Sequence, residues 1–122
     1  MKLINNFFHI INAEEREDAL CCRTSLNAEH EVYKAHFPGN PVTPGVCLLQ
    51  MAEEILENQY GRNLKLDTAV NIRFKSKITP SDSPIFDFSK VTFDEHEAKA
   101  RLVVRDETTQ FVSMSLKYKV IA

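Results

Sequence analysis

Apolar and polar positions alternate along much of this chain, and one stretch breaks the rhythm. Phe7 to Ile11 is an apolar run, Ala19 to Leu26 is mixed, and His30 to Ala35 has Val32 and Tyr33 at its centre. These read as three short strands. His36-Phe37-Pro38-Gly39-Asn40-Pro41-Val42-Thr43-Pro44-Gly45 then places three Pro and two Gly in ten residues, which forbids regular structure. From Pro44 the period turns helical. Thr43 suits the N-cap and Pro44 the first helical position, where its missing N–H costs nothing. The helix is expected to run to about Tyr60 and to stop at Gly61. Its first turn and a half, Val46 to Leu49, is apolar all round, which predicts burial on every side. Further on, Met51, Ala52, Ile55, Leu56 and Tyr60 cover one face, and Gln50, Glu53, Glu54 and Glu57 the opposite stripe.

Beyond Gly61 the pattern is β to the end. Ala69 to Ile78 alternates, with Val70, Ile72, Phe74 and Ser76 on one side and Asn71, Arg73, Lys75 and Lys77 on the other. Thr79 to Pro84 is a turn, Ile85 to Phe93 a strand and Asp94 to Glu97 a hairpin loop. Ala98 to Asp106 and Gln110 to Val120 complete an antiparallel meander. Short strands, one long helix, then long antiparallel strands make an α+β fold. A sheet wrapped round the helix is the simplest way to bury it.

The 122 residues suit a single domain, 1–122, and 43% hydrophobic with 26% charged residues suits a globular one. A formal charge of −2 speaks against nucleic-acid binding, which calls for a basic excess. No apolar run approaches the roughly 20 residues of a membrane span. Met1 to Ala13 has one Lys and a short apolar stretch without a small-residue cleavage site, so no signal peptide is expected. Three Cys at no metal-type spacing point to free thiols in a reducing compartment, hence the cytoplasm. Cys47, near a helix start, is either a thiol activated by the dipole or a small buried side chain. His9, His30 and His96 lack partners at metal-ligand spacing and read as structural or surface residues. No nucleophile elbow, phosphate loop or dinucleotide fingerprint is present.

The stretch from His36 to Val46 resembles the signature of the 3-hydroxyacyl-acyl-carrier-protein dehydratases: a His, an aromatic, Pro-Gly, a second Pro, then Pro-Gly opening an apolar helix. A weaker match lies at Phe74 to Asp82, and the strand order agrees. The resemblance implies the hotdog fold, one long central helix wrapped by an antiparallel β-sheet, paired as a dimer. It implies dehydration of a (3R)-3-hydroxyacyl thioester on an acyl carrier protein to the trans-2-enoyl product, as in fatty acid synthesis. His36 maps onto the family's base, and Gly45 onto the backbone N–H that polarises the thioester carbonyl. The family's helix carboxylate, supplied across the dimer, maps onto Gln50.

Gln50 is a departure, because a carboxamide hydrogen-bonds but is no acid near neutral pH. Three arrangements stay open. The acid has moved to Glu54, one turn on, with Gln50 orienting it; or His36 makes both proton transfers while Gln50 places a water; or a paralogous subunit supplies the carboxylate. Glu53 and Glu57 read as a solvated face, and Glu54 as either that or the reserve acid. Phe37, Val46 and Phe74 are expected in the acyl tunnel wall. Arg73, Lys75 and Lys77, helped by Arg62 or Lys65, form a positive strand face suited to an acidic carrier protein, or an ordinary charged sheet face. The thioester already acidifies the α-proton, so neither metal nor organic cofactor is implied. The rivals are a non-catalytic partner subunit of a dehydratase heterodimer and a hotdog acyl thioesterase.

Overall fold

The computed structural model describes residues 2–35 and 39–121. Its elements are β1 (Phe8–Glu15), β2 (Leu20–Leu26), α1 (Glu31–Ala35), α2 (Gly45–Tyr60), β3 (Asn63–Phe74), β4 (Ile85–Phe93), β5 (Glu97–Arg105) and β6 (Gln110–Ile121). The strands form one sheet in the order β1-β2-β4-β5-β6-β3. Every strand pair in it is antiparallel. The inner face buries Phe86, Phe88, Leu102, Val104, Val112, Met114 and Tyr118. Against it α2 sets Leu48, Met51, Ala52, Ile55 and Leu56. This is the α+β arrangement read from the pattern, a long helix held by an antiparallel sheet.

Both ends of α2 follow from local chemistry, one of them differently from expectation. Gly61 closes the helix in the left-handed region at φ 64, returning its N–H to the Glu57 carbonyl. At the other end the N-cap is Pro44 (φ −63, ψ 146), not Thr43, and no side chain caps the helix. The ring fixes φ near its helical value while the extended ψ keeps Pro44 just outside. The Thr43 hydroxyl instead meets the Tyr33 hydroxyl at 2.7 Å.

Four further expectations are corrected. His30 to Ala35 is not a strand; it holds α1. Asn27 starts the turn by accepting the Glu29 and His30 amides, and His30 Nδ1 accepts the Val32 N–H at 3.1 Å. Local capping therefore overrides the β-preference of Val32 and Tyr33. The first turn of α2 is not buried all round: Cys47 and Leu48 are, but Val46 is 74% exposed.

The polar stripe is not a solvated face either. Glu57 accepts the Leu64 N–H and Glu53 the Leu66 N–H, each at 2.9 Å. β3 is an edge strand folding back along α2, so alternate amides lack a strand partner, and the helix carboxylates satisfy them. β3 also begins earlier than its alternation suggests. Its register slips between Leu66 and Thr68 and between Val70 and Arg73, with Asn71 at φ 55. These bulges break strict alternation along the edge.

Candidate active site

Three segments meet at the N-terminal end of α2. The loop before the helix contributes Val42, Thr43, Pro44 and Gly45. The end of β3 and the chain after it contribute Phe74, Ser76, Lys77 and Ile78. Leu48 and Val112 supply the deeper wall. Together they enclose a cavity of about 410 Å³. Its wall is chiefly apolar, with the Lys77 side chain as its cation.

Two contacts hold this cavity in shape. The Thr43 N–H donates to the Ile78 carbonyl at 2.8 Å, tying the loop to the chain after β3. The Thr43 hydroxyl is bonded to Tyr33, which stacks on Phe7 with centroids 5.3 Å apart. A buried hydroxyl pair in that position stiffens the wall. Burial pushes the Tyr33 phenol up to about 12, so it stays a neutral donor and acceptor.

Gly45 is the first residue of α2 and lines the cavity. The first intrahelical bonds run from Cys47 and Leu48 to the Pro44 carbonyl. The Gly45 amide lies ahead of them, at the end of the helix that favours negative charge. A Cβ on Gly45 would come within 3.3 Å of Phe74 Cζ. The missing side chain thus lets the Phe74 ring approach the helix start.

The other anticipated residues are placed as follows. His36 and Phe37 lie outside the described residues. Phe74 lines the cavity while staying 64% exposed; Val46 does not line it. Arg73, Lys75 and Lys77 are all exposed, with Lys75 Nζ donating to Gln110 Oε1 at 3.2 Å. Lys75 and Lys77 follow the end of β3. Arg62 covers the Phe93 ring at 5.5 Å and donates to the Asp94 carbonyl.

Gln50 is half-buried, and its Nε2 donates to Glu54 Oε2 at 2.8 Å. Glu54 is only 2% exposed. Its carboxylate accepts the Leu3 and Ile4 amides, and it borders a different cavity of about 250 Å³ at the C-terminal end of α2. The expected reserve acid is therefore tied to the N-terminal segment of its own chain. Burial pushes the Cys47 thiol up, so desolvation outweighs the helix dipole and no activated thiol sits there. Among the described residues, no three His, Cys, Asp or Glu side chains converge as metal ligands.

Sequence reasoning missed Tyr33, Ile78 and Val112 as builders of the cavity. Tyr33 sits in a segment whose pattern suggests a strand, and the other two look like any strand residue until the loop closes on them.

The family model for the ApeI-like dehydratases matches residues 12–115. Among curated proteins, the 3-hydroxyacyl-acyl-carrier-protein dehydratase FabZ of Lactococcus lactis subsp. lactis is 30% identical over 87 residues, covering 66% of this chain and 58% of the relative. FabZ of Fusobacterium nucleatum subsp. nucleatum is 26% identical over 83 residues, 64% of this chain and 59% of the relative. The chain thus spans less than two thirds of these relatives' length. Among solved structures, the dehydratase heterocomplex ApeI:P from Xenorhabdus doucetiae superposes with a TM-score of 0.70 at 15% identity, over 90% of this chain and 96% of that one. A hypothetical thioesterase from Streptococcus pneumoniae, solved with coenzyme A, gives 0.66 at 12% identity, over 94% and 86%. At such identities the structural likeness is one of fold, the hotdog, and it does not separate dehydratases from thioesterases. The family model does: a match from the first strand to the last, together with the loop that opens α2, makes this chain a member of the ApeI-like dehydratase family.

Proposed function

We propose that the chain dehydrates a (3R)-3-hydroxyacyl thioester held on an acyl carrier protein, working as one half of a dimer in the cytoplasm. The observation that carries this is the apolar cavity at the start of α2, with the Gly45 amide in its wall. An acyl chain suits the apolar wall. The Gly45 N–H is aimed where charge develops on the thioester oxygen as the α-proton leaves. His36, nine residues before Gly45 in the sequence, takes that proton. The 3-hydroxyl then leaves as water, with the proton returned by His36 or given by an acid of the partner subunit. Gln50, whose Nε2 donates to Glu54, supplies no proton. The exposed Arg73, Lys75 and Lys77 beside the cavity receive the acidic carrier protein.

A specific observation favours a second reading, in which this chain is the half-site partner of a paralogue. Gln50 is no acid, and Glu54 is committed to backbone amides. The solved relative from Xenorhabdus doucetiae is itself a heterocomplex. Val46, Val70, Ile72 and Phe74 leave an exposed apolar edge for another subunit. The thioesterase reading ranks below both, since it needs a free carboxylate to activate water, and Glu53 and Glu54 are both bonded to amides.

The test is dehydration of 3-hydroxyacyl-carrier-protein substrates of several lengths by the purified chain, with His36→Ala as control. Turnover that disappears in His36→Ala supports the first reading. Turnover only after adding a paralogue with the His and Glu pair supports the second. No turnover in either case, or release of free thiol instead, refutes both. Charge reversal at Arg73, Lys75 and Lys77 is expected to weaken carrier-protein binding and leave turnover of a small thioester unchanged.

A further inference from the structure

We propose that the outer face of the sheet, away from α2, carries a second binding site, which takes a phosphate monoester with an apolar body. A cavity of about 390 Å³ opens there, lined from β3, β4, β5 and β6. Its volume falls in the roughly 300–1,000 Å³ range of small-molecule sites. It shares no lining residue with the cavity at the start of α2, so the inference stands apart from the dehydratase reading. Its wall is chiefly apolar. Leu116 and Ala100, 3% and 5% exposed, form the floor, and Val70 closes the side towards the sheet edge.

Four cations line the cavity with this floor. Lys99 and Lys117 stand directly opposite each other on β5 and β6. Like charges so placed repel. Arg101 follows Lys99 by two residues and shares its face, donating at 3.5 Å to the hydroxyl of Ser115, its cross-strand partner. Lys90 is the fourth. It lies inside the register shift between Ser89 and Thr92, in the left-handed region at φ 52. That conformation is costly for a lysine. Bulges re-aim side chains, and this one leaves Lys90 in the cavity wall. Carboxylates answer one of the four charges: Lys117 pairs with Glu97 at 3.3 Å and with Asp67 at 3.9 Å. Among the described residues, Lys90, Lys99 and Arg101 make no ion pair.

The charge left over sets the ligand. A phosphate monoester carries about −1.5 to −2 near neutral pH and three acceptor oxygens. A single carboxylate would leave most of the positive charge unanswered. The ammonium groups and the arginine fork are suited donors, and the hydroxyl residues Thr68, Thr92 and Ser115 line the same cavity. The apolar floor receives the rest of the molecule, an aryl or short alkyl group.

The probe is phenyl phosphate, titrated into the whole chain by calorimetry at constant ionic strength, beside inorganic phosphate and benzoate. Phenyl phosphate is expected to bind more tightly than inorganic phosphate, which lacks the ring, and than benzoate, which lacks the second charge. Amide shifts in 15N NMR should centre on residues 99–101 and 115–117. Lys99 and Arg101 are exposed, so Lys99→Gln and Arg101→Gln should fold, and each should weaken binding roughly tenfold. Arg16→Gln removes the same charge from the exposed turn between β1 and β2 and should leave binding unchanged. Equal affinity in the wild type and Lys99→Gln would overturn the proposal. So would inorganic phosphate binding as tightly as phenyl phosphate, or no binding of any probe. If no probe binds but Lys99→Gln weakens capture of an acidic carrier protein, the face serves a macromolecule and the small-molecule site is refuted.

Discussion

The hydroxyl pair between Tyr33 and Thr43 makes a sharp test, because it replaces a helix cap the sequence suggests. Both residues are buried, and their oxygens are 2.7 Å apart. Tyr33→Phe keeps the ring on Phe7 and removes one hydroxyl, leaving Thr43 with an unpaired one. Thr43→Val does the reverse. Each single change should cost about 1–3 kcal/mol, the penalty for a buried polar group deprived of its partner. The double variant removes both hydroxyls and leaves nothing unsatisfied, so it should cost about the same as one single change or less. The coupling is then about 1–2 kcal/mol. Urea unfolding of the four proteins at neutral pH measures it, and each kcal/mol corresponds to roughly 3–5 °C in Tm for a domain of this size. Were Thr43 a helix cap instead, Thr43→Val would cost about 1 kcal/mol whether or not Tyr33 kept its hydroxyl. Strict additivity in the cycle would therefore refute the reasoning.

Three more outcomes are expected. Gly61→Ala should destabilise by about 1 kcal/mol in chemical denaturation, because φ is 64 while nothing within 4 Å crowds a Cβ, and Gly61→Asn should cost less. Burial, with Cys21 adding to it, pushes the Cys22 thiol from 9.0 up to about 12. The folded state thus favours the protonated form, and this stability is complete below about pH 9 and lost as pH rises towards 12. A urea series across that range should show a shallower alkaline decline in Cys22→Ala than in the wild type. Val46→Glu combined with Ile72→Glu should abolish subunit pairing in light scattering while leaving the fold intact by circular dichroism, since both side chains are exposed within the chain, at 74% and 41%.

The sequence by itself determined what short-range rules control. Three Pro and two Gly between His36 and Gly45 dictate the loop, and Gly61 supplies the left-handed residue that ends α2. Apolar spacing sets the buried face of Met51, Ala52, Ile55 and Leu56. Alternation marks β4 at the bounds observed and β5 and β6 within a residue. The motif that opens α2 was enough to suggest the family and to single out Gly45. Only the tertiary structure decided what the helix carboxylates do. Glu54 reads as one of several acids on a polar stripe, yet the backbone amides it accepts lie 50 and 51 positions away. No periodicity encodes a bond between a helix and a segment so distant, because the bond exists only once the chain has folded over the helix. The edge position of β3 is likewise set by strand order, which turned an expected solvated face into a row of satisfied amides. Thr43 found Tyr33 for a related reason: a hydroxyl can cap a helix or pair across a wall, and the geometry of the closed loop chose between them.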